Sequence, residues 1–178
     1  MKNYELLPKS LFNFINVPKN LDDYVPKKTG HTWLYHKIGD FLSDDGIRWF
    51  RQRGIILRDT CMLFSINGTG EVHSDYPLNY SINFVLKGNG KMEWIKYEKQ
   101  SYRIQPFDVG TEIVNVPVYD DIDNYIIEES LDDSENRVFL VRVDKPHRIV
   151  SDEPRLCLAI RPTDDFNYDF NEVRKLFN

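Results

Sequence analysis

The spacing of apolar and polar positions changes near residue 55. Upstream, apolar residues recur at helical intervals. Ser10 is placed to cap a helix through LFNFINV that Pro18 ends. A second predicted helix covers HTWLYHKIGDFL, and a third covers IRWFRQR up to Gly54. Downstream, short apolar and β-branched runs alternate with turn residues. IILRDTCMLFSI, residues 80–86, KMEWIKY, TEIVNVPV, RVFLVRV and RLCLAIR read as strands. Residues 67–70 read as a turn, and 87–90 as a hairpin turn joining 80–86 to KMEWIKY. Residues 99–110 and 118–136 read as loops.

Strands of this length and spacing predict a mainly β (α+β) fold. The expected form is a double-stranded β-helix, a jelly-roll or cupin-like barrel, with the N-terminal helices packed outside. The 178 residues suit one domain: a helical region 1–54, a jelly-roll core 55–162 and a tail 163–178. Aromatic residues make up 13%, which fits a β core of large side chains. On that ground Trp94 and Tyr97 are expected in the core, with a place in a pocket wall as the alternative.

The net charge of −5 and a pI near 5.4 argue against a dedicated nucleic-acid binder. No apolar run has the length of a membrane-spanning helix, and MKNYELLPKSLFNF contains no secretory signal pattern. The two cysteines, Cys61 and Cys157, form no disulfide framework. A cytoplasmic protein is the expectation, without a membrane or nucleic-acid partner. Residues 120–135 carry eight acids and no basic residue; lacking calcium-loop spacing, they read as solvated loop.

Of the four histidines, only His73 has an acid two positions on, Asp75. Residues i and i+2 of a strand share a face, so the imidazole and the carboxylate can converge on one ion while Ser74 turns away. His147, after a strong strand, is the candidate third ligand. Two histidines and one carboxylate suit iron(II) with open positions. Because 28 of 178 residues are acidic, a lone His-x-Asp also arises by chance as a surface His–Asp hydrogen bond. His31 and His36, five apart, lack the spacing of a helical metal pair. Arg48, Arg51, Arg53 and Arg58 read as a solvated face, with an anionic substrate as the alternative.

The strand RLCLAIR adds a second signal. Leu156, Leu158 and Ile160 share one face, and Arg155, Cys157, Ala159 and Arg161 the other. A half-buried arginine in a barrel requires an anion: either a ligand carboxylate or one of the chain's own acids. Ser81 and Asn83 lie on the polar face of the strand whose other face holds Tyr80, Ile82 and Phe84. Such a polar, small-residue face suits a barrel that encloses a polar ligand.

His-x-Asp, a distal histidine and then arginine on a β-barrel pattern resemble the iron(II)/2-oxoglutarate-dependent oxygenases. The resemblance covers roughly residues 61–162. It implies iron ligation by His73, Asp75 and His147, which would also be the catalytic set. It places the family's Arg-x-Ser, which binds the far carboxylate of 2-oxoglutarate, on Arg155 and Cys157, with cysteine replacing serine. Arg161 is the alternative anchor, since alkylation-repair demethylases show two arginines six apart here. Their Asn-x-Tyr pattern ahead of His-x-Asp is missing from MLFSINGTG, which further disfavours a nucleic-acid substrate. Ser81 and Asn83 are further co-substrate candidates. The implied reaction uses Fe(II), 2-oxoglutarate and O₂ to hydroxylate a small metabolite, amino acid or protein side chain, with release of succinate and CO₂. Related halogenases lack the carboxylate ligand, so Asp75 favours hydroxylation. The competing readings are a non-catalytic cupin-like metal- or ligand-binding module and a metal-dependent isomerase that needs no O₂.

Overall fold

The strand β11 (His147–Pro162) organises the molecule because it runs through both halves of one continuously hydrogen-bonded sheet, the two sheets of the barrel. In the computed structural model, which describes residues 2–25, 28–98, 101–108, 113–120 and 124–177, its register breaks between Ser151 and Arg155. A bulge of this kind bends a strand and raises its twist. After the break, β11 lies between β3 (Leu57–Thr69) and β5 (Tyr80–Lys87), with Leu158 opposite both Leu63 and Phe84. β2 (Gly30–Lys37) extends this sheet beyond β3. β10 (Val138–Arg142) and β1 (Tyr4–Leu6) extend it beyond β5.

Before the break, β11 lies between β6 (Gly90–Tyr97) and β4 (Val72–His73), with His147 opposite both Trp94 and His73. β9 (Tyr125–Asp133) pairs with β6. β8 (Ile113–Tyr119) pairs with β4 and with β7 (Tyr102–Asp108). The two sheets form the expected jelly-roll, cupin-like barrel.

Alternation along the strands sorts the side chains into layers. Leu156, Leu158 and Ile160 of β11 join Tyr80, Ile82 and Phe84 of β5 on the outer face of the first sheet. There they pack against Leu11, Phe41, Leu42 and Phe50 from the N-terminal region. Each such aliphatic side chain contributes roughly 1.5–3 kcal/mol on burial. A second cluster, including Met92, Trp94, Phe139 and Ile149, fills one end of the space between the sheets. Trp94 is fully buried there and donates Nε1–H to the Arg142 carbonyl at 2.9 Å, while Tyr97 packs with Val72 and Ile95 in a third cluster. No helix among the described residues is long and apolar enough to cross a membrane.

Several local expectations change. HTWLYHKIGDFL is not one helix: its first part is β2, and only α1 (Ile38–Phe41) is helical. All eight residues of β2 pair with β3, so ladder hydrogen bonds and the β-favouring Thr32, Trp33 and Tyr35 override the apparent helical period. The predicted Ser10 cap fails because Pro8 occupies the cap position of a 3₁₀ turn, Lys9–Phe14. The third helix is present as α2 (Asp44–Gln52), capped by Ser43, whose Oγ accepts from Gly46 N at 3.2 Å.

Residues 87–90 do turn, with Gly88 at φ 74°, but β5 and β6 are not partners. Each pairs with a different half of β11, so the turn crosses between sheets. Residues 67–69 continue β3 instead of turning. The expected loops contain β7 and β9, although 99–100, 109–110 and 121–123 lie outside the described residues. The expected tail is also structured: α3 (Phe170–Arg174) buries Phe170 and Val173.

Candidate metal centre

β4 and β11 run side by side, and their direct pairing sets His73 opposite His147 with ring centroids 4.6 Å apart. β4 ends at His73. Asp75 lies on the chain just beyond, held by its own N–H to the Val143 carbonyl at 2.8 Å. The i, i+2 spacing keeps the two side chains together, with His73 Nε2 3.6 Å from Asp75 Oδ1. One donor atom from each of His73, Asp75 and His147 falls within 4.8 Å of the others.

The hydrogen bonds around this trio prepare it for a cation. His73 Nδ1 lies 3.0 Å from the Glu71 carbonyl, and His147 Nδ1 lies 2.8 Å from the Lys145 carbonyl. A carbonyl only accepts, so Nδ1 carries the proton in both rings and each Nε2 keeps its lone pair. Arg161 Nη2 donates to Asp75 Oδ2 at 2.7 Å, which leaves Oδ1 on the histidine side. Two imidazole nitrogens and one carboxylate oxygen form the donor set suited to a first-row divalent metal. Burial first, then the adjacent His73, lowers the His147 pKa to about 4, so its ring is neutral near pH 7. Burial alone would raise the Asp75 carboxyl. Arg161, His73 and His147 together outweigh it and hold Asp75 below the usual carboxylate range.

The trio borders a cavity of about 200 Å³. Every residue predicted from sequence to hold a co-substrate lines it: Arg155, Cys157, Arg161, Ser81 and Asn83. Trp94 and Tyr97 do not. Arg155 is 1% exposed, and its Nε and Nη2 grip Asp133 at 2.9 and 2.5 Å. The arginine's main anion is therefore the chain's own acid. Its Nη1 is buried and has no hydrogen-bond partner among the described residues, as is also true of Arg161 Nε. Ser81 Oγ donates to Asn83 Oδ1 at 2.7 Å. Cys157 sits against Arg155, and burial lifts its thiol to about 11, so it remains protonated. Gly90 gives Arg155 its room, because a Cβ there would stand 2.7 Å from Arg155 Cδ. Arg58, part of the predicted basic stretch, also lines the cavity, whereas Arg48 is paired with Asp45 on the surface.

No protein-family model matches the chain, and none of the curated proteins does. Solved structures resemble it loosely. Escherichia coli ycfD aligns over 93% of this chain and 51% of its own, with 13% identity and a TM-score of 0.48. Bacillus subtilis oxalate decarboxylase, a protein with Mn(II) centres, aligns over 81% of this chain and 29% of its own, with 13% identity and a TM-score of 0.40. Solanum melongena vicilin aligns over 89% and 42%, with 12% identity and a TM-score of 0.39. The chain thus spans about three-tenths of the decarboxylase and about half of ycfD.

Sequence reasoning missed two groups. Asp133 belongs to the acidic run read as solvated loop, yet it is 5% exposed at the end of β9. The signal was its alternation with Leu131 and Glu129, which puts all three on one strand face. Tyr35 and Trp33 were hidden by the helix prediction. As β2 residues they line the cavity, where burial raises the Tyr35 phenol pKa against the lowering effect of nearby Arg161.

Proposed function

We propose that the chain is an Fe(II)- and 2-oxoglutarate-dependent dioxygenase that hydroxylates a small metabolite, amino acid or protein side chain. One observation carries this reading: the cavity bordered by His73, Asp75 and His147 also contains buried Arg155, whose Nη1 has no hydrogen-bond partner among the described residues. Charge supports it. Arg161 is matched by Asp75 and Arg155 by Asp133. A divalent cation added to this set leaves two positive charges in a space removed from water, and a dianionic keto acid neutralises them.

In this reading His73, His147 and Asp75 Oδ1 would hold the metal. Arg161 fixes the carboxylate through Oδ2. Arg155 offers Nη1 to the far carboxylate, with the guanidinium plane set by Asp133. Ser81 and Asn83 supply neutral hydrogen-bonding groups beside it. When bound, iron(II) and 2-oxoglutarate supply the oxidation by O₂: the keto acid leaves as succinate and CO₂, and one oxygen atom enters a substrate C–H bond. The protein's part is to hold, orient and keep water out.

A second reading, a metal-binding barrel without turnover, draws on the same ion pairs, since each arginine already has an acid. Succinate release separates the two. The dioxygenase forms succinate from 2-oxoglutarate only with Fe(II) and O₂, and Asp75→Ala and His147→Ala both abolish it. Metal binding without succinate under any substrate would leave the binding module.

A further inference from the structure

Exposure divides the cavity into a floor and a mouth. Arg155, Cys157 and Ala159 are at most 4% exposed and form the floor. Tyr76, which directly follows Asp75, is 66% exposed and stands at the mouth. The side chains of His73 and Asp75, 21% and 12% exposed, are intermediate. The mouth is aromatic. Trp33 pairs with Phe64 and Tyr35 with Met62 across β2 and β3, so all four project from one face into the cavity. The Trp33 and Phe64 rings stack with centroids 6.0 Å apart and 25° between planes. Val114 and Val116 of β8 add a further apolar wall.

Each arginine and the acid among the described lining residues already has an ion-pair partner, although Arg155 Nη1 and Arg161 Nε have no hydrogen bond there. Arg58 donates Nε–H to the Pro162 carbonyl at 3.1 Å and Nη2–H to Asp164 at 2.6 Å. Asp75 belongs to Arg161 and to the metal trio. A cationic group in the mouth would find no free acid among the described lining residues, since Asp75 is held by Arg161. An anionic group has its place at the floor. What remains is an uncharged group, and the rings with the Met62 thioether favour an aromatic one, through offset stacking and sulfur–ring contact. Aromatic walls also suit a methylated ammonium, but the one acid among the described lining residues, Asp75, is already paired with Arg161.

We propose that the substrate of this site presents an uncharged aromatic ring, which enters the mouth and packs against Trp33 and Tyr76. The inference rests on the dioxygenase reading for what happens to the ring, while binding of the ring rests on the cavity alone.

The test is calorimetry on the full chain loaded with Zn(II), which cannot turn over, and 2-oxoglutarate. Indole and p-cresol serve as free rings, and N-acetyltryptophanamide as a ring carried on a peptide unit. Tetramethylammonium is the cationic control. The expected result is binding of a ring probe and none of tetramethylammonium. Tighter binding of the amide than of indole assigns the ring to a protein side chain, and the reverse assigns it to a small molecule. Trp33→Ala and Tyr76→Ala each weaken ring binding by about tenfold, the loss expected when one ring–ring contact is removed. Trp33→Phe restores most of it, and exposed Tyr76 is a site where substitution leaves folding intact. Zn(II) and 2-oxoglutarate binding stay unchanged in Tyr76→Ala. Ring affinity unaltered in both alanine variants, tighter binding of tetramethylammonium than of indole, or no ring binding at all would overturn the proposal. Failure of Zn(II) and 2-oxoglutarate to bind is a different outcome. It removes the dioxygenase reading, and the ring titrations on the metal-free chain still decide the proposal.

Discussion

Arg161 and His73 address opposite oxygens of one carboxylate: Arg161 Nη2 lies 2.7 Å from Asp75 Oδ2, and His73 Nε2 lies 3.6 Å from Oδ1. The guanidinium thereby fixes which oxygen faces the imidazole nitrogens. Groups that orient a metal ligand in this way are worth roughly 10–100-fold in metal affinity. Arg161→Gln is expected to weaken Fe(II) or Zn(II) binding by about that factor, while the fold, monitored by far-ultraviolet circular dichroism, is kept. An affinity equal to that of the parent protein would show that Asp75 is oriented by its backbone alone.

The Arg155–Asp133 pair has a structural role and a proposed ligand role, and two variants separate them. Removing one partner leaves a buried, uncompensated charge, which costs about 3–5 kcal/mol. Asp133→Ala should therefore lower the urea midpoint sharply. Replacing both partners with apolar residues of similar size, Arg155→Met with Asp133→Leu, is expected to recover most of that stability. The double variant should still bind Zn(II) and lose 2-oxoglutarate. Retention of 2-oxoglutarate binding in the double variant would remove Arg155 from the site.

The metal-free chain is expected to lose stability in mild acid. The His147 pKa is about 4 in the folded chain against an ordinary value near 6.5, so between these values the unfolded chain takes up a proton that the folded chain refuses. Stability from this group is complete above about pH 6.5 and falls as the pH drops towards 4. Asp75, held below the usual carboxylate range, acts in the same direction at still lower pH. From pH 7 to pH 5 the His147 contribution is about 2 kcal/mol. Urea melts of the parent and of His147→Gln check it, since the variant should show the shallower pH dependence.

The barrel and the convergence of His73, Asp75 and His147 were legible because both rest on local, periodic signals. The alternation in RLCLAIR sorts Leu158 from Arg155, and the His73–Asp75 spacing needs only two residues. The partners of the arginines were not legible. Asp133 is 22 residues from Arg155 in sequence and meets it only because β9 lies beside β6, which lies beside β11. The alternation of Glu129, Leu131 and Asp133 marks one strand face, but nothing in the run says which partner Asp133 meets. Trp33 and Tyr35 were lost for another reason: in HTWLYHKIGDFL the apolar spacing fits a helix and a strand alike, and pairing with β3 decides between them. The aromatic wall of the cavity was therefore hidden, while the convergence of His73, Asp75 and His147 could be read.

The central claim is that one cavity holds a metal on His73, Asp75 and His147 and a dianion on that metal and Arg155. Calorimetric titration of 2-oxoglutarate into metal-free and Zn(II)-loaded protein tests it most directly. The expected result is one Zn(II) per chain, then one 2-oxoglutarate per chain that binds only when the metal is present. Binding of 2-oxoglutarate with the same affinity in both forms, or in neither, would contradict the claim.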